Sequence, residues 1–424
     1  MKKILFSSIL LLSLVAPAWS QSVKTLTPAA KPEEVGLSSE RLARIDKMVE
    51  GYVEQQWAPG AVVLIVRNGK IAYHKAYGYS DIEKKTALKK DDIFRIASQS
   101  KAITSLAVMM LWEEGKFLLD EPVSKYIPEF KNPTVLKSYN PADSSYTTEL
   151  AKSEITIRQL LTHTSGLDYA GIGSNEFKAI YAKAGIPSGI GNHTGLLADK
   201  IKTLGKLPLK HHPGEKYTYG LNTDVLGYLV EVLSGMSFDE FLRKRIFDPL
   251  GMKDTYFYLP KEKHNRLVTL YQDANGKMAT IQGNVYDKVV PNYPNTAGTY
   301  YSGGAGLSST TEDYAKFLQL FLNGGQYNGV RLLSRKTVEL MLTNQVQIPN
   351  SSQFGLGFGL ETAVNDYQSP LSLGSFSWGG AFNTQYWADP KEKMVALIFT
   401  NIYQTSHWSI GDQFKVLTYQ AITD

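Results

Sequence analysis

The stretch Phe94-Arg95-Ile96-Ala97-Ser98-Gln99-Ser100-Lys101 decides how the rest of the chain is interpreted. It places a serine three residues before a lysine, and an almost unbroken apolar run follows as far as Leu111. Residues three apart on a helix share a face, so Lys101 can reach the Ser98 hydroxyl. A helix that is apolar nearly all round is buried, and burial disfavours a charged ammonium. The stretch therefore predicts a serine nucleophile with a lysine base, near a helix N-terminus that favours negative charge.

Other catalytic templates fit the sequence less well. A Ser-x-x-Lys tetrapeptide by itself also fits a simple helix cap. The Gly-x-Ser-x-Gly nucleophile elbow has a near miss at residues 375–379, where the first glycine is missing. There is no His-Glu-x-x-His, and the adjacent pair His211-His212 is a poor chelate. We expect no metal site and no cofactor.

Strand patterns lie on both sides of this stretch. Residues 61–66 are apolar, Asn68-Gly69 follows, and residues 71–79 continue, which predicts a β-hairpin with a tight turn. Near the other end, residues 384–388 and 394–400 predict paired strands around a turn, and residues 410–422 predict a closing helix. The middle of the chain contains helical patterns separated by polar stretches, of which 141–153 and 170–194 are predicted to be surface loops.

The simplest architecture that accommodates these strand and helix patterns is an α/β (α+β) fold. One antiparallel sheet flanked by helices is built from the N- and C-terminal segments, and a mainly helical lobe is inserted between them. We expect a single catalytic module over residues 21–424, with an α/β lobe at about 24–97 and 300–424 and the helical lobe at about 98–299.

The N-terminus predicts export. Lys2 and Lys3 precede a short apolar run, and small residues at Ala18 and Ser20 suit cleavage before Gln21, so residues 1–20 are expected to be a signal peptide. An uncleaved anchor is the alternative, but the run is short for a membrane span. We expect a periplasmic or secreted bacterial protein without stable membrane insertion after cleavage.

Composition excludes several other classes. The chain has 424 residues and 0 Cys, which removes disulfides, thiolate metal sites and cysteine nucleophiles. Its net charge of +5 is dispersed, with no basic block that would argue for nucleic acid. We expect the partner to be a small-molecule ester or amide substrate.

Five segments, in order, resemble the serine β-lactamase-like superfamily of class C β-lactamases, carboxylesterases and D,D-peptidases. The resemblance runs from about Gly36 to Tyr403, and the segments are 94–101, Leu160-Leu161-Thr162-His163-Thr164-Ser165-Gly166-Leu167, Pro213-Gly214-Glu215-Lys216-Tyr217-Thr218-Tyr219, Gly303-Gly304-Ala305-Gly306-Leu307-Ser308-Ser309-Thr310 and Trp378-Gly379-Gly380. The fold it implies is that of the β-lactamases and transpeptidases.

The resemblance also implies roles for individual residues. Tyr219 takes the place of a third catalytic residue, a proton relay between Ser98, Lys101 and the leaving group, with Tyr217 as the alternative. His163 is expected to be scaffold, and Tyr169 to line the cleft. The backbone amides of Ser98 and Ala381 would form the oxyanion hole, where two preorganised donors are worth several kcal/mol. Paired glycines before Ala381 would allow close backbone approach.

Two departures from the family pattern bear on the substrate. Trp378-Gly379-Gly380 stands where class C β-lactamases have Lys-Thr-Gly, and Leu221 stands where Tyr-x-Asn has its asparagine. Both replace polar recognition with apolar surface, so Leu221, Trp378, Gly379 and Gly380 are expected to contact an uncharged ester. Trp-Gly-Gly at this place is similar to the carboxylesterase branch. β-Lactamase or D-amino-acid peptidase activity remains an alternative, and so does a binding or sensor protein that is acylated but not turned over.

Overall fold

The computed structural model describes residues 24–281, 283–285, 289–350 and 352–424. The predicted signal peptide, residues 1–20, lies outside the described residues. The strands are β1 Thr27–Pro28, β2 Gly60–Arg67, β3 Lys70–Asp81, β4 Thr86–Ala87, β5 Phe94–Arg95, β6 Thr134–Tyr139, β7 Tyr146–Leu150, β8 Tyr271–Ala274, β9 Lys277–Thr280, β10 Ser308–Ser309, β11 Gln326–Tyr327, β12 Val330–Arg331, β13 Gly359–Leu360, β14 Phe376–Gly380, β15 Thr384–Asp389, β16 Met394–Phe399 and β17 Ile402–Tyr403.

The helices lie between groups of strands. They are α1 Ser39–Glu54, α2 Ser100–Glu113, α3 Ile157–Leu161, α4 Asn175–Lys183, α5 Leu197–Leu204, α6 Asn222–Ser234, α7 Phe238–Leu242, α8 Asp248–Leu250, α9 Thr311–Leu322, α10 Arg335–Met341 and α11 Ile410–Tyr419. Of these, α3 to α8 follow one another without an intervening strand. Among these helices, none combines the length and the apolar character that a membrane span requires.

The main sheet confirms the predicted joining of the two chain ends. Its order is β1-β3-β2-β16-β15-β14-β13, so the N-terminal hairpin pairs directly with the C-terminal strands. All of these pairings are antiparallel except the short β1–β3 pair, which is parallel. The fold is the mixed α/β architecture that the sequence predicts.

Both faces of the central strands are buried. Successive residues of a strand point to opposite faces, and in β2 Val62 and Leu64 join one core while Val63 and Ile65 join another. Helices α1 and α11 pack together on the second face, and α9 packs against β2 and β16 on the first. An unbroken apolar run is therefore what a central strand of this sheet needs.

The inserted segment between the two ends is less purely helical than expected. It contains α2 to α8, but also the hairpins β6–β7 and β8–β9, and β8 pairs with β17 near the C-terminus. The prediction that 141–153 and 170–194 are surface loops is wrong in part, because β7 and α4 lie within them. Every residue of β7 is exposed, so it shows no apolar alternation; α4 buries only Phe177, Ile180 and Tyr181 between Gly-rich flanks.

The apolar helix that follows Ser98 is buried, as predicted. Ser100 to Leu111 are all buried in α2, and α2 packs against α6. The helix begins at Ser100 rather than Ser98, because residues Ala97–Gln99 form a 3₁₀ turn that leads into it. This turn places Ser98 at the boundary between the sheet lobe and the helical segment.

Candidate active site

Ser98 follows a strained residue. Ala97 is fully buried and has φ of 41°, in the left-handed region that alanine rarely adopts. Such a conformation costs on the order of 1–3 kcal/mol and persists only where the surroundings impose it. Two backbone hydrogen bonds hold the segment: Ile96 N donates to Leu307 O over 3.1 Å, and Gln99 N donates to Ile96 O over 3.0 Å. The nucleophile candidate therefore stands on a fixed turn.

Lys101 reaches Ser98, as its spacing predicts. Its Nζ lies 3.3 Å from Ser98 Oγ, because residues three apart in a 3₁₀ turn lie on the same side. The same Nζ donates to Tyr169 Oη over 2.8 Å and to the Gly304 carbonyl over 2.7 Å. Lys101 is only 2% exposed, so these three oxygens surround its terminal nitrogen in a nearly water-free site.

Two tyrosines flank this lysine in different ways. Tyr219, the predicted relay, presents its ring: Lys101 Nζ lies 4.6 Å from the ring centroid. Tyr169, predicted only to line the cleft, provides the hydroxyl that bonds Lys101. Their ring centroids are 5.4 Å apart. Tyr217, the alternative to Tyr219, instead packs against Phe354 and His163, which suits a structural role.

His163 is buried and packs against Tyr219. Its Nδ1 accepts a hydrogen bond from Asn222 Nδ2 over 3.0 Å, and Asn222 Oδ1 in turn accepts one from Ser165. Its ring lies 4.8 Å from that of Tyr219, centroid to centroid. Burial, together with the nearby Lys101 charge, lowers the pKa of His163 well below its ordinary value, so the ring stays neutral. These contacts fit the scaffold role predicted for His163.

The end of β14 lies against the turn that carries Ser98. A Cβ on Gly380 would clash with the carbonyl oxygen of Ile96, so the glycine is required for β14 to reach the turn before Ser98. The close backbone approach that Gly380 allows is therefore between β14 and the segment that carries Ser98. Gly379 is less crowded, with the nearest atom, Thr384 O, 3.2 Å from a Cβ position. Among the described residues, the Ala381 amide donates to no backbone carbonyl and can bond a substrate oxygen.

Trp378 and Leu221 differ in where they lie. Trp378 is half-buried and packs its ring 5.7 Å from Tyr219 and 5.1 Å from Phe354, centroid to centroid, so it adjoins the tyrosine beside Lys101 but does not line the pocket at Ser98. Leu221 is 1% exposed and belongs to the main core, where it precedes α6. The structure therefore does not bring Leu221 to the pocket at Ser98, contrary to the expectation that it contacts substrate.

Sequence reasoning gave no role to Asp224 or to the Gly304 carbonyl. Thr104 and Ser100 of α2 fix the segment around Gly304, because Thr104 Oγ1 donates to Gly303 O and Ser100 Oγ accepts from Leu307 N. A Cβ on Gly304 would lie 2.7 Å from an Asp224 oxygen and 3.5 Å from Lys101 Nζ, so a side chain there is excluded. The paired glycines at 303–304 were the available signal for this close approach.

Asp224 is an acid buried beside Lys101. It is 1% exposed, and desolvation raises the pKa of its carboxyl to about 6, although the Ser302 hydroxyl and the Lys101 charge act in the opposite direction. Below about pH 6 this carboxyl therefore holds a proton close to the lysine.

A small apolar pocket opens at the nucleophile. Its volume is about 30 Å³, and Ser98 and Ala381 both line it, together with Tyr169, Gly171, Ile172, Ser188, Ile190 and Ala305. No charged side chain of the described residues lines it. A hydroxyl nucleophile, a lysine in contact with it and a backbone amide across from it are the parts needed for acyl transfer to serine.

Comparison with known proteins agrees with this geometry. The Beta-lactamase family model matches residues 45–417. The chain belongs to the Beta-lactamase family. Members of this family are serine hydrolases, among them esterases and peptidases, and the predicted superfamily resemblance is thereby confirmed.

Individual family members are similar over most of their length. Protein Rv1367c of Mycobacterium tuberculosis is 33% identical over 80% of this chain and 84% of its own. Esterase EstB of Burkholderia gladioli is 29% identical over 85% of this chain and 90% of its own. The solved structure of EstCE1, a hydrolase with promiscuous acyltransferase activity, superposes with a TM-score of 0.76 at 27% identity, covering 90% of this chain and 99% of that one.

Proposed function

We propose that this Beta-lactamase family protein is a carboxylesterase that forms an acyl-enzyme on Ser98. The observation that carries the proposal is the pocket at Ser98, which Ala381 lines just after β14 and which no charged side chain of the described residues lines. Such a pocket offers no cation beside Ser98 to pair with the carboxylate of a β-lactam or of a D-alanine terminus. The similarity to esterase EstB supports the same substrate class.

The first half of the reaction follows from the contacts of Lys101. The general base of this proposal is the uncharged form of Lys101, in which the amine has two N–H bonds and one lone pair. With its N–H bonds directed to Tyr169 Oη and Gly304 O, the lone pair faces Ser98 Oγ and takes the hydroxyl proton. Ser98 Oγ then bonds the ester carbonyl carbon, and the amides of Ser98 and Ala381 hold the resulting oxyanion.

The second half releases the two products. The carbon–oxygen bond to the alcohol breaks, and the alcohol oxygen takes the proton back from Lys101 with Tyr219 as the relay. Water then attacks the acyl carbon, gives its proton to the same base and frees the carboxylic acid. Ser98 regains its hydroxyl, so the cycle needs only ester and water.

The experiment that tests this proposal uses Ser98→Ala. We expect this variant to lose p-nitrophenyl acetate hydrolysis by at least about a thousandfold and to lose covalent labelling by a fluorophosphonate, because both reactions need the hydroxyl. Ser105→Ala, the same chemical change at a buried serine of α2 to which we assign no role in the site, is the matched control for folding. Retained turnover in Ser98→Ala would overturn the assignment of the nucleophile.

A side-by-side substrate panel separates the alternatives. Short-chain esters, a chromogenic cephalosporin and a D-Ala-D-Ala peptide are given to the wild-type protein at equal concentration. The proposal expects the highest kcat/KM with the ester. Faster cephalosporin or peptide turnover would favour a β-lactamase or peptidase, and a burst of one equivalent without steady turnover would favour a sensor.

A further inference from the structure

A second, larger cleft continues from the pocket at Ser98. Its volume is about 420 Å³, within the range of small-molecule binding sites. It shares Gly171, Ser188 and Ile190 with the small pocket, so a ligand can extend from one into the other. The small pocket of about 30 Å³ holds only a short group beside the nucleophile. The bulk of a substrate must therefore occupy the larger cleft.

The larger cleft carries one uncompensated charge. Lys200, half-buried on α5, is the one Lys, Arg, Asp or Glu among the described residues that line it. Its ammonium forms no ion pair or hydrogen bond with any described residue, whereas the nearby Lys210 is paired with Asp168 over 2.8 Å. An ammonium beside a cleft with no counter-charge among the described residues can pair with an anionic group of a ligand.

The position of Lys200 also has a purely structural explanation. A Cβ on Gly185, just after α4, would lie 3.7 Å from Lys200 Nζ, so the ammonium stands near the C-terminal end of that helix. A helix C-terminus attracts cations. This attraction would affect the stability of the protein, but it would not make the protein prefer an anionic ligand over a neutral one. The two explanations can therefore be separated by experiment.

We infer that the substrate is an ester of a short acyl group with an alcohol that carries an anionic group, and that Lys200 binds this anion. The inference rests on the proposed esterase function. The acyl group occupies the pocket at Ser98, and the alcohol portion extends past Ser188 and Ile190 into the larger cleft. The anion is thus recognised from the helical segment, on a different side of the site from Trp378.

The test compares 4-acetoxybenzoate with its neutral methyl ester. The measured quantity is the ratio of their kcat/KM values. We expect Lys200→Met to lower this ratio about tenfold, with partial recovery in Lys200→Arg, because methionine keeps the stem but removes the charge. Lys202→Met, which removes an exposed charge two residues along the same helix, should leave the ratio unchanged. Equal ratios in Lys200→Met and Lys202→Met would overturn the inference.

A binding measurement keeps this test independent of turnover. Calorimetry on Ser98→Ala gives the Kd of each intact ester, and adding Lys200→Met should weaken binding of 4-acetoxybenzoate about tenfold relative to the methyl ester. The esterase proposal is tested separately by release of the acetyl group from methyl 4-acetoxybenzoate. The wild type should catalyse this release, and Ser98→Ala should not. p-Nitrophenyl monoglutarate and p-nitrophenyl valerate differ by a carboxylate at the end of the acyl chain. A higher kcat/KM for the monoglutarate would place the anion on the acyl side and overturn the inference.

Discussion

At the scale of single residues, the three oxygens around Lys101 Nζ define the chemistry of the site. They come from Ser98, three positions earlier, from Tyr169 in the middle of the chain, and from the Gly304 carbonyl. The ring of Tyr219 completes the enclosure from a fourth side. A lysine held in this way has one orientation toward the serine, and this fixed orientation favours proton transfer between the two groups.

The two tyrosines make different predictions. We expect Tyr219→Phe to lower kcat for p-nitrophenyl acetate about a hundredfold, because it removes the proton relay to the leaving alcohol. We expect Tyr169→Phe to lower kcat/KM about tenfold, because one N–H of a buried lysine loses its acceptor. Steady-state kinetics on both variants decide the matter. A larger loss in Tyr169→Phe would assign the relay role to Tyr169 instead.

Local spacing was enough to predict the Ser98–Lys101 contact, since it depends only on one turn of backbone. The contacts of Tyr169 and Gly304 were not predictable in this way. They depend on how the 303–307 segment lies on α2, because Thr104 Oγ1 donates a hydrogen bond to Gly303 O and Ser100 Oγ accepts one from Leu307 N. Leu221 was placed incorrectly because a motif position does not reveal whether a residue faces the cleft or the core.

At the scale of elements, the contact between β14 and the turn at Ala97–Gln99 positions the two amides that we propose as oxyanion donors, those of Ser98 and Ala381. Gly380 brings the end of the strand against Ile96, and Ala381 follows immediately. The hydrophobic patterns of the strands predicted the sheet, and both ends of the chain contribute to it as expected. The short strands and α4 escaped prediction because their sequences lack a long apolar period.

Substitution of the paired glycines tests this contact. We expect Gly380→Ala to lower kcat about a hundredfold or more, because the added methyl clashes with the Ile96 carbonyl and displaces the Ala381 amide. Gly379→Ala, whose methyl meets its nearest atom at 3.2 Å, should cause a clearly smaller loss. The readout is kcat for p-nitrophenyl acetate, with circular dichroism to confirm folding. Equal losses in the two variants would contradict this account of Gly380.

At the scale of the whole molecule, a buried acid couples folding to pH. The carboxyl of Asp224 has its pKa raised from 3.8 to about 6 in the folded protein. Between these values the folded state retains a proton that the unfolded chain releases. The contribution of Asp224 to stability therefore decreases as the pH rises from about 4 to 6 and stays low above that range.

An amide at this position removes the titration. We expect the melting temperature of Asp224→Asn, relative to the wild type, to rise by about 3 °C between pH 4.5 and pH 7.5. Taking the difference between the two proteins cancels the other titrating groups. Differential scanning fluorimetry across this range measures it. A difference that does not change with pH would show that Asp224 does not hold the proton assigned to it.

The position of β14 against the turn at Ser98, which Gly380 allows, also has a consequence for biosynthesis. Ser98 and Lys101 leave the ribosome early, but the amide of Ala381 is added 283 residues after Ser98 (381 minus 98). The central strand β2 likewise waits for β16 before its edge is covered. A growing chain therefore carries its serine and lysine without the second oxyanion donor. Under the proposed mechanism the site is complete only when β14 docks, so we expect a chain that ends before β14 to be inactive toward esters.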